Sequence, residues 1–446
     1  MKKSLVAVAV LTAISSAANA DVTLYGVLDM GIANLTSGQN LNPTMPAGVP
    51  TQIYTSNMPG KSVTTMAPNG LSQSVLGFKG LELIDGDLSA GFMLEAGLDP
   101  NTGSVSDGIS GLRTGTVNTT TGADSARAGQ LFNNRSTVYI ASKQYGTLSL
   151  GRQYSLSLDD IIKYDPLSAS YAFSVVGFFG GYGGSGWTED ARLDNSLKYT
   201  GHFGGVRLGA MYQFGGMAGS TSANSAGQLN VGTDRGNFSV DAMMSYKHDG
   251  LGTYGSIPTQ PGGTAPVTTG MTGLLSNTQA QGLFAKYKLN ALTFSGGYEH
   301  ILFTAPTSFG SGSAVSMANA VALGGYSYGT GNVLEPYNAR SRTLNLFFGG
   351  AKYEMTSSLD LLGAFYNVHS LDYSGGSTSC PSVPNNGAIS HCAGYLQSYS
   401  LVSDYHLSKQ TDLYAGISIQ SVTGGMASLY AASENTTTMV GFRTKF

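Results

Sequence analysis

The chain ends Thr436-Thr-Thr-Met-Val-Gly-Phe-Arg-Thr-Lys-Phe446. Side chains of a strand alternate between two faces. Thr438, Val440, Phe442, Thr444 and Phe446 therefore share one face, and Asn435, Thr437, Met439, Gly441, Arg443 and Lys445 the other. A closing strand that shows an apolar row and a terminal Phe suits a barrel wall in contact with lipid better than a soluble domain.

The same period-two pattern recurs along the chain. Leu88, Phe92, Leu94 and Leu98 alternate with Ser89, Gly91, Met93 and Glu95. Leu208, Ala210 and Tyr212 alternate with Arg207, Gly209 and Gln213, and Val240, Ala242, Met244 and Tyr246 with Asp241, Ser245 and Lys247. Composition decides what hides the apolar face. Only 11% of residues are charged, against roughly 25% in soluble domains. After the leader, no segment approaches the ~18 continuous apolar residues of a membrane helix. Apolar surface arranged by alternation, without helical spans, points to an all-β transmembrane barrel, whose closure pairs every backbone group in lipid.

The N-terminus fixes the compartment. Lys2 and Lys3 precede the apolar run Leu5 to Ile14, and Ala18-Asn19-Ala20 is an A-x-A cleavage site. Residues 1–20 read as a cleaved secretory signal and 21–446 as the barrel. Without Lys2 and Lys3, 21 basic residues face 26 acidic ones, a formal charge of −5. That balance excludes a nucleic-acid partner recruited by charge.

Seven short turns are legible, at 84–87, 144–146, 202–205, 234–237, 289–291, 356–358 and 408–410. They are rich in Gly, Asn, Asp and Ser. Eight long polar stretches alternate with them, at about 34–70, 99–133, 155–190, 216–224, 249–278, 303–339, 371–393 and 423–434. Together they join sixteen antiparallel strands; weak alternation over Ser225–Thr233 leaves fourteen or eighteen as the alternatives. Short turns on one side and long loops on the other are the asymmetry of an outer-membrane barrel. Its own side chains do not fill a barrel this wide, so a water-filled channel follows.

Several segments resemble Gram-negative general porins, especially their β-proteobacterial branch. They are Val22-Thr-Leu-Tyr-Gly-Val-Leu-Asp29, Leu76-Gly-Phe-Lys-Gly80, Phe132-Asn-Asn-Arg135, Gly146-Thr-Leu-Ser-Leu-Gly-Arg-Gln153, Asp194-Asn-Ser-Leu-Lys-Tyr199 and the C-terminal strand. They span the mature chain in order. The resemblance implies a homotrimer of sixteen-stranded barrels whose third extracellular loop folds inward as the constriction. It also implies assembly through the C-terminal strand, with Phe446 as the signal read by the barrel-assembly machinery. Many relatives carry Ser-Arg-Trp where this chain has Ser74-Val75-Leu76, so Val75 stands at a position those relatives make basic. The sign of ion selectivity is thereby left open.

The third long segment holds Asp159, Asp160, Asp165, Glu189 and Asp190, with Lys163 as its one basic residue. It also carries Phe173, Phe178, Phe179, Tyr182 and the sole Trp, Trp187. A loop so aromatic packs on the wall instead of standing in water. Its carboxylates, opposite basic wall residues, would set up a field across a narrow gap. Candidates on that wall are Lys79, Arg135, Arg192, Lys198 and Arg207. Arg152 shares the parity of the lipid-facing Leu148 and Leu150, so it reaches the lumen only if a bulge re-aims it. The alternative for each group is a solvated turn or lumen charge.

Cys380 and Cys392 flank a Pro/Asn/Gly-rich stretch in an oxidising compartment and are expected to form a loop disulfide. Tyr25, Tyr199, Tyr212, Tyr287, Tyr298, Tyr405 and Phe446 are candidates for interfacial girdles. Gly177–Gly186 follows no strand and opens no helix, so it is not a phosphate loop. No Gly-x-Ser-x-Gly elbow is present, and His369 near Asp372 reads as a polar loop margin. The expectation is a passive channel for small hydrophilic solutes, with no enzymatic activity, cofactor or metal. Its alternatives are a channel preferring small organic anions or aromatic acids, and an adhesin or receptor acting through the outer loops.

Overall fold

The computed structural model describes residues 21–36, 62–105, 112–113, 130–177, 182–184, 186, 188–216, 219–222, 224–252, 274–304, 326–329, 332–334, 341–372, 380–381, 389–390, 393–427 and 433–446. Among them, sixteen strands build the wall. These are β1 (Asp21–Thr36), β2 (Val75–Asp85), β3 (Leu88–Asp99), β4 (Arg135–Ser142), β5 (Gly146–Tyr154), β6 (Arg192–Phe203), β7 (Val206–Gln213) and β8 (Ala226–Arg235). They continue as β9 (Phe238–Gly252), β10 (Leu274–Leu289), β11 (Leu292–Thr304), β12 (Arg342–Thr356), β13 (Leu359–Ser370), β14 (Gly394–His406), β15 (Thr411–Val422) and β16 (Glu434–Lys445). Each pairs antiparallel with its neighbours, and β1 pairs with β16 from Val27↔Lys445 to Thr36↔Thr436. The barrel is closed and has no free edge.

The seam is held to its last residue. Phe446 N–H donates to Gly26 O at 3.1 Å, and Gly26 N–H donates to Phe446 O at 2.9 Å. The period-two reading of the terminal strand holds: Val440, Phe442 and Phe446 are exposed on the outer face, while Asn435, Thr437 and Met439 are buried on the inner one. Leu24, Ile32, Val138, Leu229, Met244, Leu283, Phe347 and Leu401 continue the outer apolar surface.

Three features depart from plain loops. Val63–Pro68, inside the first long stretch, pairs with the upper half of β1 from Met30↔Pro68 to Leu35↔Val63. That half would otherwise be an unpaired edge, and the β-branched run Val63-Thr-Thr supplies its ladder. Tyr326–Gly329 and Asn332–Leu334 form a hairpin that extends β10. The third segment opens with a helix, α1 (Leu156–Tyr164). Ser155 caps it by accepting from Leu158 N–H at 3.1 Å. Asp159 in its first turn and Lys163 in its last match the helix dipole.

The inner face is not polar throughout. Phe284 on β10, Leu346 and Phe348 on β12, Tyr366 on β13, Val402 on β14 and Tyr414 on β15 point inward and are buried. Leu158, Ile161, Tyr164, Phe173, Val175 and Val176 of the third segment join them in one core. Tyr164 stacks on Phe284 at 5.9 Å; Phe284 lies 6.2 Å from Phe348, which lies 6.3 Å from Tyr366. Apolar and polar residues thus share the inner face from β10 to β15. There the wall needs an apolar surface to hold the segment packed on it.

Candidate functional site

The third segment sets the site's geometry because its helix meets charged side chains of the inner wall. Asp159 on α1 forms an ion pair with Lys198 on β6, and Lys198 Nζ also donates to Tyr154 O at 3.0 Å. Asp160, one residue on, turns the other way and accepts from Asn230 Nδ2 at 2.6 Å. Asp160 is almost fully buried, and burial with Asp241 nearby pushes its carboxyl up to about 8. Lys163 Nζ and Tyr164 OH both donate to Asp241 Oδ2, at 3.0 and 2.6 Å. Arg207 Nη2 donates to the same oxygen at 2.9 Å and pairs with Asp234 through Nη1. Burial holds Lys163 below its usual range.

The other acidic residues of the segment anchor it. Asp165 caps the helix end, where it accepts from Tyr366 OH at 2.7 Å and from Ala169 N–H at 2.7 Å. Burial raises its affinity for a proton. Glu189 accepts from Gly184 N–H at 3.3 Å and lies against Glu299 of β11. Burial pushes the Glu189 carboxyl above its usual range. Asp190 forms an ion pair with Lys247 on β9. Asp165, Glu189 and Asp190 are each buried, whereas Asp159 keeps nearly half its side chain open. Of the five carboxylates, the structure gives Asp159 to water. Phe178, Phe179 and Trp187 lie outside the described residues, as do the signal segment and Cys392.

The basic candidates divide as well. Arg135 pairs with Glu95 on β3 at 3.0 Å and lies 4.3 Å from the Tyr154 ring centroid. Arg192 is fully buried, sits 5.2 Å from the same ring, and donates to Gln73 Oε1 at 2.7 Å. Lys79 is exposed above the Tyr25 ring at 5.5 Å. The β5–β6 register shifts between Gly151 and Gln153. Arg152 sits in that irregularity, buried, where it donates to Asn133 O and pairs with Asp194. Gly151 takes φ 120° there, a conformation that side chains resist. Val75 is buried at the start of β2, on the inward parity of Gly77 and Lys79.

Open space meets this arrangement in two places. A cavity of ≈ 540 Å³ borders α1, with Asp160, Lys163, His202, Arg207 and Asp234 in its lining. A second, of ≈ 300 Å³, is lined by Arg135, Tyr139, Gln153, Tyr154 and Lys198. Asp159, Thr147 and Thr200 line both.

Residues 7–424 match the Gram-negative porin family. The chain belongs to that family. Over 258 residues this porin is 28% identical to outer membrane porin protein 32 of Delftia acidovorans, a match covering 56% of this chain and 62% of that protein. It is 27% identical over 217 residues to an outer membrane porin protein of Bordetella pertussis, covering 48% of each. The matches thus span about half to three-fifths of those relatives' length. The fold is shared with an anion-selective porin from Comamonas acidovorans: TM-score 0.59, 18% identity, 96% of this chain and 100% of that one. The trimer form of OmpT from Vibrio cholerae gives TM-score 0.55 at 13% identity, covering 96% and 99%.

Two groups escaped the sequence reading. Asp29 on β1 is completely buried and gathers the first long loop: it accepts from Gly70, Leu71 and Ser72 N–H and from Tyr414 OH. Asp404, His406 and Asp412 come together at the short-turn end. Arg443 donates to Asp412 Oδ2 at 2.8 and 2.6 Å and to Asp404 at 3.2 Å, so a guanidinium already balances that cluster. Tyr25, expected in a girdle, turns inward and donates to Glu95 Oε2 at 2.9 Å, because the buried carboxylate requires donors. Tyr212, Tyr287, Tyr298 and Tyr405 do stand exposed on the outer face.

Proposed function

We propose that this porin is a passive conduit of the outer membrane, with its narrowest point where α1 faces β5 and β6. The observation that carries the reading is the Asp159–Lys198 pair at the border shared by the two cavities. A hydrated solute moving between them passes one carboxylate and one ammonium, within reach of Arg135 and Arg207. Opposite charges across a water-filled gap orient dipolar solutes and weight ion entry. Transport needs no covalent step and no cofactor; the solute moves down its own gradient.

Residues 1–20 act as a cleaved leader in this reading, and Phe446 serves assembly. Three copies forming one particle agrees with the trimeric relative of the same fold. Planar-bilayer conductance of the refolded mature chain under a salt gradient tests the whole. Steps that close in threes, with a measurable reversal potential, are expected. A folded protein that passes no current would end the channel reading and move function to the outer loops.

A preference for small organic anions is the second reading. Arg135 lies over the Tyr154 ring and both line the smaller cavity, a guanidinium beside an aromatic face that suits a carboxylate on an aromatic body. The structural relative named as anion-selective accords with it. Saturable benzoate flux into liposomes would support this reading; flux linear in concentration would remove it.

A further inference from the structure

Not every exposed leucine of this barrel faces lipid. Leu81 and Leu83 on β2 are 45% and 77% exposed, yet the register places them on the inner face. Tyr25, which turns inward onto Glu95, stands opposite Gly77, so the odd-numbered residues of β2 share its side. Across β2, β3 and β4, three successive inward rows descend toward the short turns. They are Lys79, Met93 and Thr137, then Leu81, Gly91 and Tyr139, then Leu83, Ser89 and Ala141. The alternate positions Phe92 and Val138 take the lipid face.

The third segment does not cover these rows. Leu81, Leu83 and Met93 are absent from the core that it builds with the wall. The two leucines therefore meet the water of the lumen. An apolar patch left in water favours any solute whose apolar part covers it.

The row above supplies a charge. Lys79 is exposed, its Nζ 5.5 Å from the Tyr25 ring centroid, and it has no carboxylate partner among the described residues. Arg135, one row higher, is already paired with Glu95. Successive inward rows lie about 6.6 Å apart, so a free ammonium stands immediately above the leucines. Tyr139 closes the side. A Cβ added at Gly91 would stand 2.5 Å from Tyr139 Cζ. The ring thus lies over Gly91, the residue opposite Leu81, and only glycine admits it there. Met93 and Tyr139 also line the smaller cavity, so the strip opens directly from the narrow point.

One cation above an apolar and aromatic strip selects a shape of solute. A compact anion would use Lys79 and leave the leucines wet. A neutral apolar solute would use the leucines and forgo the ammonium.

We propose that this strip is a solute subsite for amphipathic monoanions, with the carboxylate at Lys79 and the apolar body along Leu81, Leu83 and Tyr139. It rests on the channel reading and gives the organic-anion alternative a defined place on the wall. The test is blockade of single-channel KCl current through the full mature chain, with hexanoate added to both sides. Acetate carries the charge without the body, hexanamide the body without the charge, and hexylammonium the opposite charge. Hexanoate should interrupt the current most strongly, with a blockade that saturates. Leu81→Ser/Leu83→Ser removes most of the apolar strip and should weaken hexanoate about tenfold. Lys79→Gln should bring hexanoate down to the level of hexanamide. Both changes fall on exposed lumen positions, and open-channel KCl current from each variant shows that it has folded. Blockade by acetate equal to that by hexanoate overturns the proposal, as does undiminished hexanoate blockade in both variants. Wild-type channels that carry KCl current without hexanoate blockade overturn the subsite alone. A folded protein without KCl current removes the channel reading and the subsite with it.

Discussion

The Tyr414 hydroxyl on β15 donates to Asp29 Oδ1 on β1 at 2.6 Å, joining residues 385 apart in sequence. Asp29 Oδ1 also accepts from Gly70 N–H at 3.1 Å, and its Oδ2 accepts from Leu71 and Ser72 N–H, each at 2.8 Å. One buried carboxylate thus holds the return of the first long loop against two strands. Asp29→Ala strands three amide donors and a phenol away from water. Unmet buried donors cost about 1–3 kcal/mol each, without simple addition, so a loss on the order of 3 kcal/mol is expected. The urea midpoint of the barrel in lipid vesicles reads it; an unshifted midpoint would show that the loop is held elsewhere. Tyr414→Phe, which removes one donor of four, should cost less than Asp29→Ala.

The Asp159–Lys198 pair makes a signed prediction. Asp159→Asn leaves the ammonium unopposed and should raise anion over cation permeability; Lys198→Gln should do the reverse. A unit charge a few ångströms away through water is worth about 0.5–1 kcal/mol, or a two- to fivefold change in permeability ratio. Reversal potentials in a KCl gradient report it. Shifts of the same sign in both variants would remove the pair from the conducting path.

Asp160 gives a pH signature. Its carboxyl is held at about 8 in the folded chain, mainly by burial, against roughly 4 when unfolded. The folded state therefore binds the extra proton between these values. This group's contribution to stability is present at low pH, falls as pH rises from about 4, and levels off above about 8. Asp160→Asn cannot ionise, so it should gain on the wild type as pH rises, most clearly at pH 9. Urea midpoints of both proteins at pH 5, 7 and 9 decide the matter. A constant difference across that range would mean that Asp160 does not titrate there.

Strand number, turn positions and loop order were legible because turn chemistry and period-two alternation are local. The eight long stretches and seven short turns coincide with the connections between strands. The doubtful strand at 225–233 became Ala226–Arg235, where register with β7 and β9 supplies what alternation lacks. What stayed hidden depends on contacts between distant residues. Leu344, Leu346 and Phe348 are all apolar on the inward parity, a signal that the inner wall is covered there. Nothing local says that the third segment does the covering. Separating Asp159, which meets water, from Asp160, which does not, requires knowing the helix and how it is rotated. Glu95 reads as one polar residue of an alternating strand; only the fold shows that it gathers Arg135 and Tyr25, and that Asp29 gathers a whole loop.

Phe173 tests how firmly the third segment is seated. Its ring is fully buried, and Ser400 Oγ donates to its carbonyl at 2.6 Å. The ring rests on Gly416 of β15, where an added Cβ would stand 2.6 Å from Phe173 Cζ. Glycine is needed there for close approach. Phe173→Ala removes the ring and leaves a cavity, a change that costs about 3–5 kcal/mol in protein cores. Because strand pairing is untouched, the barrel should still fold and the loss should fall on the segment's attachment. Single-channel records are then expected to show larger mean conductance and rapid flicker, as the segment samples loosened positions. Gly416→Val pushes on the ring from the wall side and should flicker too, although Phe173 is intact. Quiet records from both variants would mean that this contact does not control the opening.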